Sequence, residues 1–130
     1  MGVVTAADAS KFRAILRQRA LVLRGEIRQT LLRSDQEQYV AIAEQARDAE
    51  DDSFADLMID VNLAEVDRDL AELREIDVAL ERIAEGTYGR CDVCAEDINR
   101  ERLEVQPAAI RCVACQTEFE RSHPQSTPSL

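Results

Sequence analysis

The sequence predicts a mainly α-helical protein: a long antiparallel coiled-coil helical hairpin, then a small four-cysteine lobe and a short C-terminal helix. Three observations predict it. Apolar residues recur three or four positions apart through most of the chain before Gly86. Aromatic residues make up 4% and Trp is absent, while 32% of residues are charged, a profile of long solvated helices rather than a large globular core. All four cysteines fall late in the chain, as Cys91-x2-Cys94 and Cys112-x2-Cys115.

The first helix is expected to begin near Asp8 or Ser10, either of which can cap it. Phe12, Leu16, Ala20, Leu23, Ile27 and Leu31 form one apolar face. That stripe weakens at Ser34–Gln38 and resumes with Tyr39, Ile42 and Ala43, so the helix either runs on to about Arg47 or breaks near Ser34. Asp48-Ala49-Glu50-Asp51-Asp52-Ser53 reads as an acidic turn, since Asp and Ser side chains compete for backbone hydrogen bonds. Asp52 or Ser53 is the expected cap of the helix that follows.

In that second helix, Ile59, Leu63, Val66, Leu70, Leu73, Ile76, Leu80 and Ile83 recur at intervals of four and three. A period near 3.5 is a coiled-coil seam. Gly86 is the expected stop at C′. About 30 residues at roughly 1.5 Å each give a helix of about 45 Å. Such a helix cannot bury its stripe alone. Folding back at 48–53 would pair Leu73 with Ile27 and Leu80 with Ala20 in an antiparallel hairpin with an acidic tip. The other solution is an intermolecular seam. The expected domains are the hairpin at 1–86, a zinc-finger lobe at 87–121 and a flexible tail at 122–130.

The 17-residue gap between the two CxxC pairs suits four thiolates converging on one structural Zn²⁺, with Cys91, Cys94, Cys112 and Cys115 as ligands. Two disulfides or four inert thiols are the bland alternative. Four thiolates on zinc carry excess negative charge, which Arg90, Arg100, Arg102 and Arg111 are placed to offset. Ile98, Leu103, Val105 and Ile110 are too few for an independent core, so metal supplies folding free energy here. Residues 116–121 suit a short helix. His123 is surplus as a ligand to a complete Cys₄ set.

A closed Cys₄ site leaves no position for substrate, and no nucleophilic triad, P-loop or glycine fingerprint appears, so no enzymatic activity is expected. A formal net charge of −10 opposes unaided binding to DNA or RNA, so sequence-specific DNA binding is not expected. A protein partner with a basic cavity suits it better. The first residues lack a charged and then apolar leader, and no apolar run is long enough to cross a membrane. Four reduced thiols suit a reducing compartment, so the expected location is cytoplasmic.

Gly86-Thr87-Tyr88-Gly89-Arg90-Cys91-x2-Cys94, Ile98, and Arg102-Leu103-x3-Pro107-x4-Cys112-x2-Cys115 resemble the DksA/TraR family of C4-type zinc-finger proteins. The preceding hairpin extends the likeness to the longer, DksA-type members. The resemblance implies a bacterial, probe-like regulator of transcription initiation that binds RNA polymerase directly. In that family the hairpin enters the secondary channel of the polymerase and presents acidic residues at its tip. The family's tip pattern is Asp-x-x-Asp-x-Ala; here Asp48-x2-Asp51-x-Ser53 matches it, with Ser53 replacing the alanine. Basic residues in the family help form a guanosine tetraphosphate site with the polymerase, the nucleotide of the stringent response. Glu75, Gln106 and Gln116 stand at the matching positions here, which implies a weak response to that nucleotide. The remaining reading is a structural zinc-ribbon and coiled-coil module for protein interaction or dimerisation, against which the hairpin predicts a monomer.

Overall fold

The computed structural model describes residues 4–123. They form six helices: α1 (Ala6–Leu32), α2 (Glu37–Ala46), α3 (Asp51–Leu57), α4 (Ala64–Glu85), α5 (Arg100–Val105) and α6 (Val113–Ser122). Among the described residues the only β pairing is an isolated antiparallel bridge between Arg90 and Asp97. The chain divides into two compact units. One is Arg17–Ile76; the other holds the described residues 4–16 and 77–123. The long helices α1 and α4 run unbroken through both boundaries. They pack antiparallel, as the matching stripes predicted.

In the unit Arg17–Ile76, Leu23, Ile27 and Leu31 of α1 are fully buried, with Val66, Leu70, Leu73 and Ile76 of α4 also in the core. Arg19 and Glu72 close a two-bond ion pair between these helices, at 2.7 and 2.9 Å. This register differs from the expected one. A fold-back at 48–53 would set Glu81, not Glu72, opposite Arg19. The cause is a further helical layer: the chain reverses at 33–36, again at 47–50, and again at 58–63.

The break near Ser34 is therefore the correct one of the two alternatives for the first helix. Ser34 Oγ accepts from the N–H of Gln36 at 3.1 Å, a local bond that competes with helix continuation. α2 then buries Tyr39, Ala43 and Ala46, and Arg28 Nε donates to the Ala43 carbonyl at 3.0 Å.

The expected 30-residue second helix is two helices. α3 ends at Leu57, and α4 has 22 residues, roughly 33 Å at ~1.5 Å each. Between them, Met58 and Val61 are buried while Ile59 is 76% exposed. Ile59 fits the seam's spacing but lies in the turn. The Tyr39 hydroxyl accepts from the N–H of Asn62 at 3.2 Å, which holds that turn against α2. Leu80 is only partly buried, and its neighbour Ala79 takes the core position instead.

The helix starts also differ from expectation. Thr5, not Asp8 or Ser10, opens α1. Its Oγ1 accepts from the N–H of Asp8 at 3.1 Å, and Asp8 Oδ2 accepts from the N–H of Thr5 at 3.2 Å. That reciprocal pair is a capping box. Glu50 precedes α3 in an extended conformation, so neither Asp52 nor Ser53 is the cap. The α4 terminus follows the sequence reading. Gly86 has φ +81°, Thr87 N–H reaches the Arg82 carbonyl at 2.9 Å and Gly86 N–H the Ile83 carbonyl at 3.3 Å, a Schellman stop. Of the tail expected at 122–130, residues 124–130 lie outside the described residues, and Ser122 ends α6.

Candidate metal centre

Tight turns deliver the first ligand pair. Gly89 sits at φ +87° and its carbonyl accepts from Ile98 N–H at 2.8 Å. A Cβ there would stand 2.5 Å from Val4 Cγ2, so the turn needs glycine for space as well as for backbone conformation. The chain then doubles back through Cys91-x2-Cys94: Cys91 N–H donates to the Glu96 carbonyl at 2.7 Å, and Ala95 N–H to the Cys91 carbonyl at 3.0 Å. Ala95 takes a positive φ of 64° to close this knuckle. The second pair starts α6, with Cys112 at its N-cap and Cys115 in its first turn. Asp92 N–H donates to the Ile110 carbonyl at 2.8 Å, which draws the two pairs together.

The four sulfurs all lie within 4.8 Å of one another, and Cys94 and Cys112 are 3.9 Å apart. A tetrahedral zinc with Zn–S bonds of about 2.3 Å sets its sulfurs about 3.8 Å apart. The four cysteines are free thiols, not the disulfides of the bland alternative. Donor set and spacing fit one structural Zn²⁺. Cys91 is buried, Cys112 and Cys115 are half-buried, and Cys94 is exposed.

The thiols are electrostatically unequal. Burial pushes Cys91 up, but the backbone N–H groups of Cys94, Cys112 and Val93 outweigh it and bring the thiol down to about 6. The Val93 N–H lies 3.4 Å from that sulfur. Cys115 is pushed up to about 12, first by its bonding to Cys112 and then to Cys91. Backbone dipoles thus favour charge on the buried sulfur.

The sequence placed Arg90, Arg100, Arg102 and Arg111 to offset the charge of the site from around its ligands, not by bonding to them. Among the described residues, none of Arg90, Arg100, Arg102 and Arg111 donates to a sulfur. Arg102 Nε instead holds the Arg111 carbonyl at 2.9 Å. Arg111 lies over the Phe119 ring at 3.8 Å, and Phe119 stacks on His123 at 4.3 Å. His123 is outside the sulfur cluster. Arg82, which sequence reasoning missed, donates to the carbonyls of Thr87 and Arg90 and lies 3.8 Å from Asp92. It is the one basic residue in the last turn of α4, between Glu81 and Ile83, and that run gave no signal of this role. Tyr88 donates to the Pro107 carbonyl at 2.7 Å and packs on Phe12, with ring centres 5.6 Å apart. Ile98 and Leu103 are fully buried.

The other candidate residues lie in the unit Arg17–Ile76 and in the lobe. Asp48, Asp51 and Ser53 are all exposed, around the reversal between α2 and α3 rather than one joining α1 to α4. Asp51 accepts from Arg24 Nη1 at 3.0 Å, and Arg24 also reaches the Ala49 carbonyl and lies over Phe54 at 4.5 Å. Gln116 is engaged by Arg111 and Glu120, Gln106 caps α5, and Glu75 is exposed on α4.

Two helices leading to one closed tetrathiolate site define a C4-type zinc-finger protein. Residues 86–121 match the prokaryotic dksA/traR C4-type zinc finger. It is similar to an RNA polymerase-binding transcription factor DksA of Salmonella typhimurium, 27% identical over 88% of this chain and 72% of that one. General stress protein 16O of Bacillus subtilis is 38% identical over 57% of this chain and 44% of its own length. The solved transcription factor DksA2 of Pseudomonas aeruginosa aligns with TM-score 0.59 and 26% identity, covering 92% of this chain and 88% of that one. The chain spans about half the length of several of the curated relatives it matches. Among the described residues no helix is long and apolar enough to cross a membrane.

Proposed function

We propose that this protein is a DksA-like, cytoplasmic regulator of transcription initiation that binds bacterial RNA polymerase directly and catalyses nothing itself. The observation that carries this reading is the likeness to DksA2 along 92% of the chain. The relatives named as polymerase-binding factors support it. The zinc lobe would be a structural knob, and the helical unit the part that enters the secondary channel.

The acidic reversal suits that role. Asp48, Asp51 and Ser53 are exposed, and a channel that admits nucleotides has basic walls that attract such a surface. Asp48 and Asp51 would act on the polymerase near its catalytic metal as modulators. Arg24 holds Asp51 and so orients the turn before any partner is met. Guanosine tetraphosphate would add little, because Glu75, Gln106 and Gln116 cannot neutralise a phosphate.

The test is polymerase pull-down together with transcription from a regulated promoter. Wild type and Asp48→Asn/Asp51→Asn should both bind, and the variant should lose regulation. Absence of binding by the zinc-loaded wild type would sink the reading. Strong synergy with guanosine tetraphosphate would sink its nucleotide clause alone.

A further inference from the structure

Arg82 sits in the last turn of α4, and its side chain is only 12% exposed. An arginine at a helix end commonly serves that helix's own last carbonyls. This one reaches past them. Its Nη2 donates to the Thr87 carbonyl at 2.9 Å and to the Arg90 carbonyl, five and eight residues further on, while Nη1 lies 3.8 Å from Asp92 Oδ1. Its own backbone carbonyl accepts from the N–H groups of Thr87 at 2.9 Å and Tyr88 at 3.2 Å. Thr87 and Arg90 are the two ends of one tight turn. Arg90 N–H donates to the Thr87 carbonyl at 3.3 Å, and Gly89, third in the turn, supplies the positive φ, 87°, that a type II turn takes there. Arg82 therefore ties both ends of that turn to α4.

The next peptide unit carries the first ligand. The Arg90 carbonyl and the Cys91 N–H belong to one plane. Arg82 holds its oxygen, and its N–H donates to the Glu96 carbonyl at 2.7 Å. With both poles held, the plane cannot turn, and the direction in which the Cys91 side chain leaves it is set. We propose that Arg82 is a positioning residue of the metal centre: through this peptide it aims Cys91, the one buried thiol of the four, at the point where the sulfurs converge. Its charge fits the same role. Taking a guanidinium out of water is costly, and a carboxylate 3.8 Å away is a partial partner. Four thiolates on a divalent metal leave net negative charge beside this knuckle, which a buried cation offsets. The inference concerns the metal centre and does not rest on polymerase binding.

Two measurements on the full chain test it: zinc affinity by competition with a chromophoric chelator, and the absorption spectrum with Co²⁺ in place of zinc. Arg82→Met keeps the packing of the stem and loses every donor. Its zinc affinity should fall about tenfold or more, and its Co²⁺ bands should depart from those of a tetrahedral four-thiolate site. Arg82→Lys returns a charged donor and should recover affinity to within about threefold of wild type, with the wild-type spectrum. Asp8→Asn loosens the contact between α1 and α5 and leaves 82–92 alone, so it should keep the wild-type spectrum even if the lobe melts earlier. Undiminished affinity or an unchanged Co²⁺ spectrum in Arg82→Met, or no recovery in Arg82→Lys, would each overturn the proposal. If Arg82→Met does not fold at saturating zinc, Arg82→Gln, too short to reach both carbonyls, replaces it under the same criteria.

Discussion

Arg100 Nη1 lies 2.7 Å from Asp8 Oδ2, so the first turn of α1 is fastened to α5 of the zinc lobe. The same carboxylate closes the capping box with Thr5. One residue therefore both starts a helix and docks it. The Arg100 guanidinium, and then the Thr5 N–H, hold the Asp8 carboxyl well below the usual carboxylate range. A group with a depressed folded pKa stabilises above its unfolded value, about 3.9 for Asp, and loses that contribution as pH falls through the folded value. Asp8→Asn should lower the melting temperature at neutral pH, and the gap to wild type should close below about pH 4. Thermal scans between neutral and acid pH check this; a gap that widens in acid would contradict it.

The two glycines flanking Tyr88 should respond differently to alanine. Both have positive φ, which costs a β-carbon-bearing residue about 1–2 kcal/mol. At Gly86 the new methyl enters open space, whereas at Gly89 it stands 2.5 Å from Val4 Cγ2. Gly86→Ala should cost about 1 kcal/mol, and Gly89→Ala clearly more, with displacement of Val4. Denaturant midpoints of the two variants give the comparison.

The cysteine ligands and the α1–α4 stripes were legible because both are short-range patterns of spacing. So was the Gly86 stop. The α2–α3 layer was not, because what bends the chain is long-range: Tyr39 meets Asn62, and Arg24 gathers Ala49, Asp51 and Phe54. Ile59 shows how period alone misleads, since it continues the seam's spacing yet points to solvent in a turn. The Thr5-x2-Asp8 capping box was written in the sequence in the usual form; Asp8 drew attention as a cap when it is the partner of one. Of the arginines around the cysteines, Arg102 holds a carbonyl, Arg100 a carboxylate and Arg111 lies over an aromatic ring, contacts between residues too far apart in sequence for spacing alone to show.

Arg24 is the residue on which the acidic reversal depends. Its side chain is 19% exposed while that of Asp51 is 78% exposed, so the arginine is the structural partner and the aspartate the replaceable one. Arg24→Ala removes a charged donor to the Ala49 carbonyl and the contact over Phe54, and should cost about 2 kcal/mol. Asp51→Asn should cost under about 1 kcal/mol, as an exposed pair. Hydrogen exchange over 47–57 should rise in the first variant and hardly change in the second.

Zinc removal should unfold the lobe selectively. Its fully buried side chains beyond α4 are few, with Ile98 and Leu103 at 0% exposure, while Cys91, Cys94, Cys112 and Cys115 join segments that pair mainly through single backbone bonds. A structural tetrathiolate zinc supplies on the order of 10 kcal/mol of binding free energy at neutral pH, more than such a core provides. By contrast, Arg17–Ile76 buries Leu23, Ile27, Leu31, Val66 and Ile76 almost completely without metal. Chelation, or Cys112→Ser, should therefore abolish protection of α5 and α6 from exchange and proteolysis while most of α2, α3 and the Arg17–Ile76 portions of α1 and α4 stays protected. Cys115, pushed up to about 12 in the metal-free thiol cluster, must lose its proton to bind. Zinc affinity should accordingly rise with pH through the neutral range, one proton released for each thiol still protonated. Competition with a chromophoric chelator at several pH values measures that slope, and a flat profile would mean the thiols are already ionised before the metal arrives.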